Sequence, residues 1–374
     1  MRSDAGVRIR YGVAVSVDRL RVPAVVETAV LVETSTLQSS LAVPMMIANA
    51  GDRAARRFLD FFAASIENDN TRMAYYRAAC SFFAWLEQHG IGELPDIEPF
   101  HVAAYLKALK VSDTGSPAVK QRTAAKPTIK QHLAAIRMLF DWLIVGQVLA
   151  INPAHAVRGP KHVVKRGKTP VLNEEQARQL LASIKVVRKA TLSNGSEAEV
   201  PWLVGLRDRA LIGVMVYSFA RISAVVAMEV GDYFSNGKRW WVRLHEKGGK
   251  RHEMPAHHKL EQFLDEYLVA AGIRDGSKAP LFRSAAGRTG MLTDRPMHRV
   301  DAYQMVRRRT AEAGFNGKLG CHVFRATGIT AYLEAGGTLE NAQAMAAHES
   351  PRTTKLYDRT RDEITLDEVE RINI

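Results

Sequence analysis

Six residues in the C-terminal half, basic side chains and one late tyrosine, are of types that could do chemistry together. Arg221 follows an apolar run (YSFARIS), and Lys247 sits in a glycine-containing turn (HEKGGKRHEMP). His322 and Arg325 form His-x-x-Arg at a helix start (CHVFRATGITAYL), and His348 and Tyr357 share the stretch AMAAHESPRTTKLYDR. His348 lies 23 residues after Arg325, and Tyr357 nine after His348. Arginine presents a permanently charged fork that fits nonbridging oxygens. Imidazole titrates near working pH. A phenol oxygen is a nucleophile once its proton has somewhere to go. Each residue alone has an ordinary reading. Arg221 would sit at a helix C-terminal dipole, Lys247 in water, and Tyr357 on a core rim, with His-x-x-Arg arising by chance. Their joint occurrence, in this order, asks for chemistry.

Other chemistries fail on spacing. Gly167-Lys168-Thr169 ends like a phosphate loop, but His162 stands at the leading glycine position. Gly249-Lys250 is followed by Arg251, which breaks the same motif. His252-Glu253 with His257 and His258 has the wrong spacing for a zinc protease, and Pro255 breaks the helix it needs. No Gly-x-Ser-x-Gly occurs. Two cysteines, Cys80 and Cys321, make neither a disulfide framework nor a four-cysteine zinc site. The longest apolar stretch, Ala210 to Ala220, is too short to span a bilayer, and the N-terminus has no signal-peptide pattern. The expectation is a cytoplasmic protein with no cofactor, no metal and no membrane partner.

The elements that must position these residues fall into two groups. From Gly51 to about Ile151 the apolar period is helical. Asp52 to Ile66 puts Phe58, Leu59, Phe61 and Phe62 on one face, and a second helix capped by Asn70 runs to Gly90. Pro99 starts a third, a flexible basic segment covers Ser112 to Lys126, and Thr128 opens a fourth, completing a small bundle. The run Arg158 to Lys168 is basic without an acid and reads as a hinge or as a strap along a phosphate backbone. Asn173 and Gln176 then form a capping box, followed by a helix, a polar loop around Asn194-Gly195 and the apolar helix Trp202 to Phe219. Residues Val230 to Met254 change period and read as a short antiparallel sheet. Helices return over His258–Ala271, Val300–Ala313, Val323–Glu334 and Thr338–Ala347, with a last one starting at Ser350-Pro351. With 374 residues and 47% hydrophobic content there is ample material for two cores. The formal net charge of +13 points to a polyanion, nucleic acid first.

This pattern resembles the tyrosine recombinase (phage integrase) family over most of the chain. NTRMAYYRAACSFFAWL and HLAAIRMLFDWLIVGQVLAINPA look like that family's core-binding domain, and the stretch from His322 to Tyr357 is the most specific part. The resemblance implies a mainly α fold with a small antiparallel β-sheet. An N-terminal arm (1–48) would precede a helical, SAM-like core-binding domain (49–157), a basic linker (158–169) and a catalytic domain with a C-terminal tail (170–374). Two positions depart from the family. Ala224 stands where an acid usually follows the first arginine by three, and Ala347 where glycine usually precedes the second histidine.

The resemblance also implies the reaction. Tyr357 would attack a phosphodiester, leaving a 3′-phosphotyrosyl link and a free 5′-hydroxyl, so that rejoining needs no ATP. Arg221 and Arg325 would clamp nonbridging oxygens and His348 would add a hydrogen bond. His322 would assist proton removal, and Lys247 would protonate the leaving oxygen. Double-stranded DNA is the expected partner, held between two domains, with a homo-tetramer on paired sites and accessory DNA-bending or partner recombinases. Lys120, Arg122 and Lys126, with Arg158, Lys161, Lys165 and Arg166 of the linker, would meet phosphates, and Arg72 and Arg77 would reach a groove. The expected activity is site-specific recombination or integration in a bacterial mobile-element setting. A type IB topoisomerase and a non-catalytic DNA-binding relative are the alternatives.

Overall fold

The computed structural model describes residues 30–31, 41–110, 123–162, 164, 167–191, 195–246, 249–287, 289–315 and 319–358. The chain divides into two compact units, Met1–Val163 and Val164–Ile374. It is mainly helical with small antiparallel sheets, as the sequence led us to expect. No helix among the described residues is long and apolar enough to cross a membrane.

The first unit pairs β1 (Val30–Leu31) with β2 (Ala42–Val43) ahead of five helices. These are α1 (Met45–Asn49), α2 (Asp52–Ala64), α3 (Asp69–Gln88), α4 (Pro99–Ala108) and α5 (Lys126–Val145). Its core is aromatic. Phe58 and Phe62 of α2 meet edge to face at 5.1 Å, and Phe82 of α3 meets Tyr105 of α4 at 5.1 Å. Val43, Met46 and Ile47 are buried in this core, although their sequence reads as part of the N-terminal arm. The cap of α3 is Asn68 rather than Asn70: its side chain accepts the Thr71 N–H at 3.1 Å. Lys126 opens α5 instead of ending a loose segment, because Pro127 fits the first helical turn.

The second unit begins with α6 (Glu174–Ser183), whose capping box forms as expected. The Gln176 N–H donates to Asn173 at 2.8 Å, and the Asn173 N–H to Gln176 at 3.0 Å. The polar loop around Asn194 is flanked by a hairpin that the sequence reading missed, β3 (Val187–Thr191) with β4 (Glu197–Pro201). α7 (Leu203–Tyr217) is buried on nearly every side, as its continuous apolar sequence requires. It still carries Arg207 and Asp208 inside. Asp208 holds Arg207 at 2.6 Å and Arg309 at 2.7 Å, and Glu312 takes Arg309 at 2.8 Å, so the buried charges are balanced rather than stranded.

Beyond α7 come α8 (Ile222–Val226) and the three-stranded sheet β5 (Tyr233–Asn236), β6 (Arg239–His245) and β7 (Arg251–Pro255). α9 (His258–Ala271) leads to a second unread hairpin, β8 (Arg283–Ala285) with β9 (Leu292–Pro296). The chain then runs through α10 (Arg299–Glu312), α11 (His322–Glu334), α12 (Leu339–Met345) and α13 (Pro351–Lys355). In β6 and β7, Val242, Leu244 and Met254 face the core by the two-residue period of a strand.

Candidate active site

Five of the six residues singled out for chemistry lie on elements of the second unit that converge at one place. Arg221 caps the start of α8, directly after the buried end of α7. His322 opens α11, and Arg325 sits one turn further on, buried at 1% exposure. His348 lies between α12 and α13, and Tyr357 just beyond α13. Lys247 is outside the described residues.

Tyr357 is the centre of this arrangement. Its hydroxyl lies 2.7 Å from Nε2 of His322. Its ring stacks against His348 with centroids 5.7 Å apart and planes 10° from parallel. The Thr330 hydroxyl of α11 donates to the Tyr357 carbonyl at 2.9 Å and anchors the backbone there. Burial pushes the phenol above its ordinary range, while the charges of Arg325 and Arg221 pull it back part of the way. A phenol so placed keeps its proton at neutral pH unless a neighbour takes it.

The two histidines stay neutral. Desolvation of the His322 ring holds it below the ordinary histidine range, and Arg325 and Arg221 add to that. His348 is brought down to about 3, first by burial and then by Arg325, Arg221 and His322. His322 is therefore available to accept the phenol proton. Nδ1 of His348 lies 2.9 Å from the hydroxyl of Thr354, a fully buried residue of α13. A hydroxyl donating to Nδ1 leaves the ring proton on Nε2, which makes the other edge of the imidazole a donor.

Arg325 is fixed by backbone. Its Nη1 donates to the Phe219 carbonyl and its Nη2 to the Ala346 carbonyl. Phe219 (φ 55°) and Ala347 (φ 46°), which follows Ala346, are both left-handed, and these turns aim the two carbonyls. Glycine suits the position of Ala347 for that reason: alanine there bears a steric cost. Burial lowers Arg325 to about 10, with Arg221 adding to the drop and Glu246 opposing it. Arg221 is less enclosed, at 33% exposure, and pairs through Nη1 with Oε2 of Glu246.

Glu246 and Thr354 were not singled out in the sequence, and Gly167 entered only through the rejected phosphate-loop match. The alanine at 224 was the available clue to Glu246, since a carboxylate absent there must come from elsewhere. Thr354 and Gly167 carry no comparable signal. The N–H of Gly167 donates to the Leu356 carbonyl at 3.0 Å, so the basic segment touches the residue before Tyr357.

The residues expected to meet DNA fare unevenly. Arg72 is engaged within the helical bundle. Its Nε donates to the Phe62 carbonyl at 2.7 Å, its Nη2 to the Ile66 carbonyl at 2.8 Å, and its Nη1 pairs with Asp69. A fork so engaged joins α2 to α3 and is not free to enter a groove. Arg77, Lys126, Arg158 and Lys161 are exposed. Lys161 lines a shallow groove with Lys130 and Arg137. Lys120, Arg122, Lys165 and Arg166 lie outside the described residues.

Residues 171–363 match the model of the phage integrase family. The tyrosine recombinase XerD of Mycobacterium leprae is 27% identical over 297 residues, covering 77% of this chain and 86% of that protein. Among solved structures, XerH site-specific recombinase bound to palindromic difH substrate in a post-cleavage complex aligns with a TM-score of 0.59. The identity there is 14%, over 88% of this chain and 96% of that one. A lambda integrase tetramer bound to a Holliday junction aligns with a TM-score of 0.58 at 16% identity, over 83% and 78% of the two chains. At such identities the structural likeness speaks for the fold, and the matched model, spanning more than half of the sequence, speaks for descent: the chain belongs to the phage integrase family of tyrosine recombinases.

Proposed function

We propose that this recombinase cleaves and rejoins DNA site-specifically through Tyr357. The observation that carries the reading is the 2.7 Å contact between the Tyr357 hydroxyl and a neutral His322, beside two arginines. The phenol oxygen attacks the scissile phosphorus and its proton passes to Nε2 of His322. The P–O5′ bond breaks, leaving a 3′-phosphotyrosyl link, and the 5′-oxygen leaves with a proton from Lys247. Arg221, Arg325 and the Nε2–H of His348 hold the nonbridging oxygens as charge builds on them. The stored phosphotyrosyl bond allows rejoining without ATP, and the arginines fill the charge-neutralising role that metal ions play elsewhere.

The substrate in this reading is duplex DNA, with Lys126, Arg158 and Lys161 on its phosphates together with the basic residues outside the described segments, and Arg77 reaching a groove. The reaction proceeds through a Holliday junction in a homo-tetramer on paired sites, with partner recombinases or DNA-bending proteins as accessories. The lambda integrase structure named above is such a tetramer for its own protein. In this reading the protein acts in the bacterial cytoplasm, where such a substrate lies.

The test uses the full chain and a duplex selected from a randomised pool by binding to it, with the cut position mapped and a 5′-bridging phosphorothiolate placed there. A covalent adduct that survives denaturation, forms without Mg2+ or ATP and is lost in Tyr357→Phe is the expected result. No adduct on a bound duplex would overturn the reading. Site-independent relaxation of supercoiled plasmid without strand exchange would point to topoisomerase action instead.

A further inference from the structure

The two arginines beside Tyr357 share one buried carboxylate. Glu246 stands directly after β6, and its side chain is 3% exposed. Oε2 pairs with Nη1 of Arg221, and Oε1 lies 4.0 Å from Nη1 of Arg325. Strand period explains the burial. Leu244 faces the core, His245 faces out, and Glu246 turns inward again. Its N–H donates to the Lys250 carbonyl at 2.8 Å, which closes the turn onto β7 and fixes where the carboxylate emerges.

Two guanidiniums converging on one phosphate repel each other before that phosphate arrives. Arg221 lowers the proton affinity of Arg325, and Glu246 raises it. The position three residues after Arg221 supplies no counter-charge. Ala224 is 2% exposed and packs in the apolar core, and its N–H donates to the Arg221 carbonyl at 2.9 Å. A carboxylate at 224 would be buried among aliphatic side chains. The end of β6 delivers one to the same arginine from 25 residues further along the chain.

We propose that Glu246 is a positioning residue that holds Arg221 and Arg325 side by side for the scissile phosphate, in the role that the alanine at 224 leaves unfilled. The proposal rests on the phosphotyrosyl reading above. Glu246 touches neither nucleophile nor phosphate and acts through the two guanidiniums. It also carries a negative charge near the place where DNA phosphate binds. Removing that charge should tighten DNA binding while slowing the chemistry, a split that a merely structural ion pair would not produce.

The experiment compares full-length wild type, Glu246→Gln and Glu246→Asp on the selected duplex, measuring affinity, single-turnover adduct formation and thermal melting. Glu246→Gln should bind as tightly as wild type or more so and form adduct about 10- to 100-fold more slowly, by analogy with the loss of one preorganised charge contact. Glu246→Asp, which keeps the charge, should lie between the two. With the scissile phosphate replaced by a methylphosphonate, one nonbridging charge is absent, and the defect of Glu246→Gln should shrink. Adduct formation at the wild-type rate, or an equal slowing on both substrates, overturns the proposal. Should Glu246→Gln melt below the assay temperature, Glu246→Asp decides: a defect that does not shrink on methylphosphonate overturns it. Wild type forming no adduct would remove the phosphotyrosyl reading and this one with it, whereas wild-type adduct with an unaffected Glu246→Gln removes this one alone.

Discussion

Replacing Gly167 by alanine would place a methyl group against the backbone that leads into Tyr357. The new Cβ would stand 2.4 Å from the Leu356 carbonyl oxygen. Carbon and oxygen in van der Waals contact keep about 3.3 Å or more apart, so one of the two segments has to retreat by about 1 Å. The obstacle is backbone, not the end of a flexible side chain, and Leu356 is one residue from the proposed nucleophile. If the Leu356 side yields, the 2.7 Å contact between the Tyr357 hydroxyl and His322 opens beyond hydrogen-bond reach. A misplacement of about 1 Å can cost on the order of 100-fold in rate, so single-turnover adduct formation should fall by about 10- to 100-fold. The hydrogen bond from the Gly167 N–H, worth about 1 kcal/mol, is weakened at the same time. For a unit the size of Val164–Ile374 that lowers the melting temperature by about 2–4 °C. The assay pairs the cleavage time course with a thermal melt, and Lys168→Ala serves as the control, since it removes a neighbouring charge without adding a clash. Cleavage by Gly167→Ala within about two-fold of wild type would refute the reasoning. So would a melt that shows general unfolding, because the cause would then not be local.

Four further outcomes are expected. Thr354→Val keeps the shape of a fully buried side chain but leaves Nδ1 of His348 without its donor, which should slow cleavage about 10-fold and cost about 1–3 kcal/mol in the melt; Thr354→Ser should restore both. Because His322 is held below its ordinary range, it remains a proton acceptor below pH 6.5, and the acid limb of the cleavage rate should fall below that pH, a midpoint at or above it counting against the assignment. His348 shows the same sign in stability: at about 3 in the fold it takes up fewer protons than in the unfolded chain, so stability should decline as pH drops from about 6.5 toward about 3, which melts across that window would read. Ala347→Gly relieves a left-handed alanine and should add about 1 kcal/mol after the greater freedom of unfolded glycine is subtracted, seen as a melting temperature about 2–4 °C higher.

Much of the active-site pattern was legible because its residue types are informative in order: two arginines, two histidines and a late tyrosine, each in a recognisable local context. The long apolar helix α7 and the capping box of α6 were equally plain, since continuous hydrophobicity and an Asn-x-x-Gln spacing each have one physical meaning. What stayed hidden depends on tertiary placement. The strands Val187–Thr191 and Glu197–Pro201 bury no residue fully: the first has no apolar alternation, and the second alternates only through the small, half-buried Ala198 and Val200, too weak a signal to mark a strand. Arg72 looks like a surface arginine until α2 brings the Phe62 and Ile66 carbonyls to it. Glu246 reads as one acid in a basic turn. Its burial follows from the register of β6 and from where α8 and α11 present their arginines, neither of which is local.

That hidden carboxylate changes how the charge of the site should be counted. With His322 and His348 both neutral and the Tyr357 phenol protonated, the described groups around the nucleophile sum to two arginines and one glutamate, a net +1. A phosphodiester carries one negative charge, which these described groups match, and the Lys247 that protonates the leaving oxygen in the proposed reaction would bring the site to +2. Attack adds negative character to the phosphoryl oxygens, and binding the substrate more tightly would not help that step. The extra stabilisation has to come from direction: the open fork of Arg221, the ring donor of His348 and the order that Glu246 imposes on both guanidiniums. Without Glu246 the same groups would carry one positive charge more, which would attract DNA more strongly but leave Arg221 and Arg325 free to spread apart. On this reasoning the +13 of the whole chain would gather DNA, whereas at the reacting phosphate the orientation of a few charges would carry the chemistry.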